Sequence, residues 1–526
     1  MKLLPGYFLV PLLLLLAPPK LGADAAGPTP FERGAPAATQ SPIDELVFQK
    51  LHTLGIQPAN LCSDPVFIRR ACLDVIGTLP TAAEAREFIL DPAPGKRAAL
   101  IDRLLERKEY ADYWAMKWSD LLRVKAEFPI NLWPNAAQAY HGWIRAALKE
   151  NLPYDRFVRE MLTASGSNFR VGQVNFYRAL QNREPRGIAQ AVALTFMGQR
   201  ADKWPRERLD GMAGFFSLVG YKSTAEWKEE IVFFDPGKLT NSAAATAVFP
   251  DGAQVRLTPD HDPRDAFADW LVSPQNPWFA RCMANRLWAW LLGRGIVQEP
   301  DDFRPDNPPS NPELLDYLER ELIQSHYDMK RLLREILNSR VYQFSSIPRG
   351  SRPEGESQFA SYPLRRLEAE VLIDALDQIT GGTESYSSAI PEPYTFVPET
   401  ERSIALEDGS ISSSFLELFG KSARDTGLES ERNNRPSAAQ RLHLLNSTHV
   451  QRKLEQSRMI QYQMDSKKGA RERATGIYLG ILSRFPTEAE LATVETYAKT
   501  ANIKPREALV DLAWALVNSS EFLYRH

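Results

Sequence analysis

A charged segment ahead of a predicted helix offers the main candidate binding site in this sequence. The segment runs from Arg424 to Asn446, and Pro436 indicates a helix start because proline is favoured in the first helical turn. Free backbone N–H groups at a helix start, together with nearby guanidinium groups, favour the binding of an anionic group. The candidate binding residues, which have Glu429 beside them, are Arg424, Glu431, Arg432 and Arg435.

The chemistry of this segment predicts an acidic ligand, either a sulfated or carboxylated glycan or an acidic surface of a protein partner. An intramolecular alternative stays open, in which the Arg and Glu side chains pair with one another and hold the loop to its domain. Replacing Arg432 and Arg435 with Ala separates the two interpretations. A functional surface predicts lost binding at an unchanged melting temperature, whereas a structural role predicts a lower melting temperature with binding intact.

Local catalytic motifs are missing from the sequence. Neither phosphate-binding glycine loop (GxxxxGK[ST] or GxGxxG) occurs, and Gly-x-Ser-x-Gly and His-Glu-x-x-His are also absent. Carboxylates such as Asp301 and Asp302 leave a polysaccharide hydrolase or lyase as an alternative, since paired carboxylates can serve as acid and base. Glu368 and Glu370, however, are two residues apart and face different directions on a helix. We therefore favour a non-enzymatic protein.

Possible metal ligands are sparse. Asp260-His261-Asp262 gathers three, but a polar turn in which Asp262 caps the following helix is the favoured interpretation. His443 and His449 flank a predicted helix–helix junction and need not share a face. We expect no metal, haem or other cofactor. Three cysteines are too few for a disulfide framework or a four-cysteine zinc site, and we expect all of them to be free: Cys62, Cys72 and Cys282.

Tryptophans fall in two groups at helical spacing, one in each half of the chain. Such residues usually pack in cores or between helices because they bury a large apolar area, and we expect that role here. A platform for carbohydrate or another ligand is the alternative. The first group is Trp114, Trp118, Trp133 and Trp143, and the second is Trp270, Trp278, Trp288 and Trp290.

Composition places the 526-residue chain among ordinary globular proteins, with 44% hydrophobic and 25% charged residues. Its 63 basic and 66 acidic residues give a net charge of -3, which argues against a nucleic-acid-binding surface. At roughly 100–200 residues per domain, the length predicts about two to four domains.

Apolar periodicity predicts a mainly α protein in which two helical domains are joined by a short β segment. Residues 1–25 are typical of a signal peptide and 26–41 of a Pro-, Ala- and Gly-rich linker. The helical domains are predicted over 42–222 and 263–526, with single helices near 364–380 and 447–460. The β segment, 223–262, carries three β-favouring runs, at 231–234, 247–249 and 254–257.

Two ordered sets of motifs give the chain a family resemblance. Residues 68–81 (IRRACLDVIGTLPT) match the pattern RR-x-x-x-D-x-x-G-x-x-P-T, and residues 118–123 (WSDLLR) continue it. This half resembles a planctomycete cytochrome-associated domain. The second half resembles its usual companion domain through segments in the expected order: 276–281 (NPWFAR), 285–288 (NRLW), 293–297 (GRGIV), 300–303 (PDDF), 365–370 (RRLEAE) and 440–446 (QRLHLLN).

The resemblance implies an exported protein, periplasmic or secreted, of a kind typical of planctomycetes and verrucomicrobia. It favours a binding or assembly factor linked to the use of extracellular polymers. We expect no nucleic-acid partner and no integral membrane segment in the mature chain.

One departure from the family pattern concerns haem. Many relatives carry Cys-x-x-Cys-His between a Phe-x-Gly and a Lys-Trp, whereas here only residues 199–202 (QRAD) separate Gly198 from Lys203. A c-type haem needs those thiols for attachment and the histidine as an axial ligand. The resemblance therefore gives no haem site here, and electron transfer, a third possible role, is weakened.

We predict that the mature protein begins near Ala26 and is recovered outside the cytoplasm. Lys2 provides a positive start, Tyr7–Ala17 a short apolar run, and Ala23-Asp24-Ala25 a small-x-small cleavage site. A membrane-spanning helix needs about 20 apolar residues, and this apolar run is shorter. N-terminal sequencing of the native protein measures the cleavage. An intact Met1 on cytoplasmic protein would contradict the prediction.

Overall fold

The structure is a computed structural model that describes residues 29–34, 38–239, 246–500 and 503–526. The predicted signal peptide lies outside the described residues. Helices make up 53% and strands 7% of the structure, which confirms the mainly α prediction. No helix in the described ranges combines the length and apolar character needed to cross a bilayer.

Helices fill both halves of the chain. The first half contains Pro42–Thr53 (α1), Asp64–Val75 (α2), Ala82–Leu90 (α3), Lys96–Leu105 (α4), Lys108–Leu121 (α5), Pro134–Lys149 (α6), Tyr154–Thr163 (α7), Asn175–Arg178 (α8), Pro185–Met197 (α9) and Arg206–Ala213 (α10). The second half contains Pro263–Leu271 (α11), Phe279–Leu292 (α12), Pro312–Gln324 (α13), Met329–Asn338 (α14), Ala369–Thr380 (α15), Ser414–Leu418 (α16), Ala438–Asn446 (α17), Thr448–Glu455 (α18), Arg458–Asp465 (α19), Ala470–Leu482 (α20), Glu488–Thr500 (α21), Pro505–Val517 (α22) and Ser520–Leu523 (α23).

Side-chain caps define several helix starts. At α3, Thr81 and Glu84 form a reciprocal capping box, as their spacing predicts. At α11, the Asp262 carboxylate accepts the backbone N–H of Arg264 at 3.0 Å. The Asp260–Asp262 triplet is therefore a polar turn with a helix cap. Such caps satisfy N–H groups that have no partner within the helix.

Two predicted helices begin or end differently. The helix expected at 447–460 is divided into α18 and α19, because the Ser457 hydroxyl accepts the N–H of Ile460 and starts a new helix there. The helix expected at 364–380 begins only at Ala369. The two residues Arg365–Arg366 are extended instead, because they pair with Tyr524–Arg525.

Three small antiparallel sheets complete the fold. The first has the strand order β1-β3-β2, with Gly166–Ser167 (β1), Val219–Ser223 (β2) and Glu230–Phe234 (β3). The second pairs Thr246–Val248 (β4) with Gln254–Arg256 (β5), and the third pairs Arg365–Arg366 (β6) with Tyr524–Arg525 (β7). β3, β4 and β5 coincide with the three predicted runs. Through β1 and β2 this segment is attached to the N-terminal helices.

The apolar core is continuous across both halves of the chain. Trp114 and Trp118 of α5 contact Trp290 of α12, with ring centroids 5.4 and 5.9 Å apart. Trp288 is fully buried, and other tryptophans pack against the core. The expected packing role is thus confirmed for Trp114, Trp118, Trp288 and Trp290. The cysteines are buried and unpaired, also as expected.

Buried charged side chains cross between the same halves. Asp74 of α2 lies in the middle, where Nη2 of Arg365 and Nε of Arg525 are each 3.0 Å from its Oδ1. The hydroxyls of Tyr342 and Tyr362 donate to its Oδ2 at 2.9 and 2.8 Å. Every oxygen of this buried carboxylate therefore has a partner from the C-terminal half.

The same set of contacts continues through Glu368, at the start of α15. Nη1 of Arg525 lies 2.6 Å from Oε2 of Glu368, and Nζ of Lys117 lies 3.2 Å from Oε1. Burial would raise the pKa of Glu368, but the charges of Arg525 and Lys117 hold it well below its ordinary value. We refer to these contacts as the buried charge network, whose members are Asp74, Lys117, Arg365, Glu368 and Arg525.

A buried histidine on α6 makes the fold sensitive to acid. His141 is buried, neither ring nitrogen has a hydrogen-bond partner, and burial together with the charge of Arg424 lowers its pKa to about 3. The unfolded chain takes up a proton near pH 6.5 and the folded chain does not, so stability falls as the pH falls between these values.

We predict that His141→Leu makes the protein less sensitive to acid. Below pH 6.5 the free energy of unfolding of His141→Leu should rise relative to that of the wild type by about 1.4 kcal/mol for each unit that the pH falls. The reason is that the unfolded variant lacks the proton that unfolded wild type takes up on His141. Urea unfolding at several pH values between 7.5 and 5 measures the difference. His52→Leu, at an exposed histidine, is the control. The prediction would be contradicted if plots of the free energy of unfolding against pH were parallel for the wild type and His141→Leu.

Candidate functional site

The charged segment (Arg424–Asn446) is held to the N-terminal half by ion pairs. Arg424 is only 1% exposed, and its Nε lies 3.0 Å from Oδ1 of Asp120 on α5. Nη2 of Arg432 lies 2.7 Å from the other oxygen of Asp120, and its Nη1 lies 2.5 Å from Oε2 of Glu370. Burial would raise the pKa of Asp120, but the charges of Arg432 and Arg424 hold it below its ordinary value.

The other two candidate residues differ from this pair. Oε1 of Glu431 accepts the backbone N–H of Asp425 at 2.8 Å, and its Oε2 accepts that of Thr426 at 3.2 Å, so this carboxylate shapes the loop. The Arg435 side chain is exposed and has no ion-pair partner among the described residues. For Arg424, Glu431 and Arg432 the geometry favours the intramolecular interpretation, and only Arg435 faces solvent.

The carboxylates considered for hydrolytic chemistry are also paired within the chain. Glu368 belongs to the buried charge network, and Glu370 pairs with Arg432. Asp301 lies 3.5 Å from Nη2 of Arg200, and Asp302 lies 3.7 Å from its Nε. A general acid needs a raised pKa and a general base needs access to substrate, and the ionised, buried Glu368 has neither.

A groove of about 360 Å³ opens where the charged segment meets the N-terminal half. One wall is formed by residues 180–182, which follow α8, and by α9. A second is formed by residues 199–203, and a third by Asp425, Thr426 and Leu428. We call this the amide groove, after the carboxamide side chains that line it: Gln181, Asn182, Gln190 and Gln199.

Arg123 places a buried positive charge at the amide groove. It follows the end of α5 with φ at 58°, a left-handed conformation that is uncommon for residues other than glycine. There its Nε donates to the carbonyl oxygen of Thr426 at 2.9 Å. A Cβ on Gly427 would lie 2.7 Å from the guanidinium carbon, so the glycine permits this close approach.

The charge of Arg123 has no counterion among the described residues. The side chain is 5% exposed, and its Nη1 has no hydrogen-bond partner. Burial lowers the pKa of Arg123 to about 10, and coulombic interactions with Tyr140 and Glu431 act in the opposite direction. An arginine with these properties is unlike Arg424 and Arg432, which each contact at least one carboxylate.

Arg123 ends the WSDLLR motif (118–123) but was not among the candidate binding residues predicted from the sequence. An arginine just after the end of a helix is common in protein sequences. The absence of a counterion can be recognised only in the folded structure.

The remaining polar groups of the amide groove suit hydroxyl-rich ligands. The exposed Lys203 adds positive charge, while Arg200 pairs with Asp301 and Asp302. Asp425 pairs with Lys125 at 2.7 Å, and the exposed Asp202 places a carboxylate in the lining. The carboxamides can both donate and accept hydrogen bonds. The described lining residues include no histidine, serine or cysteine that could act as a base or nucleophile.

The two histidines of the 443–449 junction lie together in the structure. Nδ1 of His449 is 3.5 Å from Nε2 of His443, because Ser447 turns the chain between α17 and α18. Nε2 of His449 lies 2.9 Å from Oε2 of Glu384. They are therefore hydrogen-bonded histidines. Across the described ranges, no group of three or more His, Cys, Asp or Glu side chains could hold a metal ion.

We predict unequal effects for the two arginines of the charged segment. Arg432→Ala should lower the free energy of unfolding by about 3–5 kcal/mol, because it leaves the buried Glu370 without its partner. Arg435→Ala, a matched exposed control, should change it by no more than about 0.5 kcal/mol. Urea unfolding followed by circular dichroism measures both. Equal stability of the two variants would show that the Arg432 ion pairs are not structural.

Family comparison identifies both halves of the chain. Residues 42–207 match PSCyt2, described as "Protein of unknown function (DUF1549)", and residues 263–498 match PSD1, described as "Protein of unknown function (DUF1553)". No curated protein and no solved structure matches the chain. The two matches follow one another in the order that the sequence motifs indicate. The chain therefore belongs to the family of proteins that combine a planctomycete cytochrome-associated domain with its C-terminal companion domain.

Proposed function

We propose that this protein is an exported, non-enzymatic binding protein that holds an acidic, hydroxyl-rich molecule, such as a carboxylated or sulfated sugar, in the amide groove. The observation that carries the proposal is the buried guanidinium of Arg123, which lines the groove and lacks a counterion among the described residues. Binding of such sugars fits a role in the use of extracellular polymers.

The energetics of burial favour an anionic ligand. A charge removed from water without a partner costs several kcal/mol, and proteins normally pair such charges or neutralise them. An arginine stays protonated at neutral pH, so Arg123 keeps its charge. A carboxylate or sulfate in the groove would supply the missing partner, and hydrogen bonds between charged groups are among the strong ones.

The form of the site favours a small molecule over a protein surface. The amide groove has a volume of about 360 Å³, at the small end of the range for ligand pockets. Carboxamides along its walls match the alternating donors and acceptors of sugar hydroxyl groups. Arg435, which is exposed on the same charged segment, is a further proposed contact for an acidic glycan that extends beyond the groove.

The proposal contains no catalytic step. The candidate acid–base residues Glu368 and Glu370 form ion pairs inside the protein, away from the groove lining. Export is part of the proposal, and it is supported by the predicted leader and by the family pattern.

The test compares glucuronate with glucose, which have the same ring but differ in charge. We expect the wild type to bind glucuronate more tightly, and Arg123→Met to weaken that binding by about tenfold or more, because a charged hydrogen bond is lost. Isothermal titration calorimetry measures both affinities, and circular dichroism checks the fold. Arg206→Ala, at an arginine that is outside the groove lining and mostly exposed, is the control and should bind as the wild type does.

Two results would contradict the proposal. One is a wild type that binds glucuronate no better than glucose. The other is a folded Arg123→Met protein whose affinity for glucuronate equals that of the wild type.

A further inference from the structure

A second groove, of about 290 Å³, lies between the start of α17 and the C-terminal strand β7. Its lining combines apolar side chains with polar ones, among them Arg366, Gln440 and Asn518. We call it the leucine groove. Its principal lining residues are Leu372, Phe419, Leu444, Leu445, Leu523 and Arg366.

Arg366 gives the leucine groove a buried positive charge. The side chain is 7% exposed, its Nη1 donates to Oε1 of Gln440, and its Nη2 donates to the carbonyl oxygen of Phe419 at 2.7 Å. Both acceptors are uncharged, and Nε has no hydrogen-bond partner. Among the described residues, no carboxylate lies within ion-pairing distance of Arg366, although Arg365 beside it contacts Asp74.

The start of α17 adds to this positive field. Pro436, Ser437 and Gln440 line the groove, and α17 has nine residues. Its capping box uses the N–H groups of Ser437 and Gln440, while the positive end of the helix dipole remains at the groove. Arg441, which is exposed on the same helix, also lines the groove.

We propose that the leucine groove binds a small amphiphilic anion, in which a carboxylate is attached to a short apolar body. Arg366 and the start of α17 hold the carboxylate, and the leucine side chains and Phe419 cover the apolar part. Two sources share this chemistry: the carboxyl end of a peptide with an apolar last residue, and a free short-chain acyl anion. This site is separate from the amide groove, and its occupation does not depend on sugar binding.

The probe is N-acetyl-leucine, and its neutral amide, N-acetyl-leucinamide, is the matched ligand control. We expect the wild type to bind the acid about tenfold more tightly than the amide, because the amide lacks the charged hydrogen bond. Titration calorimetry on the full chain measures both. Hexanoate separates the two sources: equal binding of hexanoate indicates an acyl anion, and binding of N-acetyl-leucine alone indicates a peptide end. Both results support the proposal.

Two exposed leucines on α17 provide matched variants. Leu445 is 41% exposed and lines the groove, whereas Leu442 is 58% exposed and does not. Leu445→Asp places a negative charge against the bound carboxylate and should weaken binding by about tenfold, while Leu442→Asp should leave it unchanged.

Arg366→Gln tests the charge itself. It should remove the preference for the acid over the amide while the weaker binding of the apolar body persists, which a general loss of structure would not produce. Arg441→Ala, at an exposed position, gives a second charge variant should Arg366→Gln fail to fold.

The proposal is wrong if the wild type binds neither probe or does not distinguish the acid from the amide. It is also wrong if Leu445→Asp and Leu442→Asp bind N-acetyl-leucine equally well. Arg123→Met should bind N-acetyl-leucine as the wild type does, so failure at one groove is distinguishable from failure at the other.

Discussion

Asp74 is a buried carboxylate whose partners come from the other half of the chain, and the rest of the structure depends on that arrangement. Its oxygens are matched by Arg365, Arg525 and two tyrosine hydroxyls, all contributed by the C-terminal half. Removing one member of such a set leaves an uncompensated charge in the interior, which is far more costly than losing a surface ion pair. The partners of Asp74 therefore come only from the C-terminal half, and the apolar core is likewise continuous across both halves.

This pairing also separates structural charges from candidate binding charges. Arg424 and Arg432 reach carboxylates on α5 and α15, and they fasten the charged segment to the protein. Arg123 and Arg366 are equally buried but meet only uncharged acceptors. Each of these two lines a groove. Arg69 is also buried against carbonyl oxygens only, but it lines neither groove. The two candidate sites are therefore distinguished by an unmatched buried charge that lines a groove.

Much of the fold could be predicted from the sequence because its signals are local. Helix caps such as Thr81 and Asp262, the β-favouring runs of β3 to β5, and the buried tryptophans all follow from nearby residues. The pairing of Arg365–Arg366 with Tyr524–Arg525 could not, since two-residue strands have no readable alternation and the partners are distant. Arg123 was missed for the same reason: its missing counterion is a property of the folded surroundings. The charged segment was found, but its contacts with Asp120 and Glu370 depend on packing between distant helices.

The position of Arg525 has a consequence for biosynthesis. Its guanidinium donates to the carbonyl oxygen of Leu73, 452 residues earlier, next to the carboxylate that it also neutralises. At typical translation rates of about 5–20 residues per second, roughly 20–90 seconds pass between the synthesis of these two partners. During that interval the nascent chain cannot complete its charged interior, so premature folding is disfavoured. For a protein proposed to leave the cytoplasm, a charged interior that is completed only by the last residues is compatible with a translocation channel, which accepts unfolded chains.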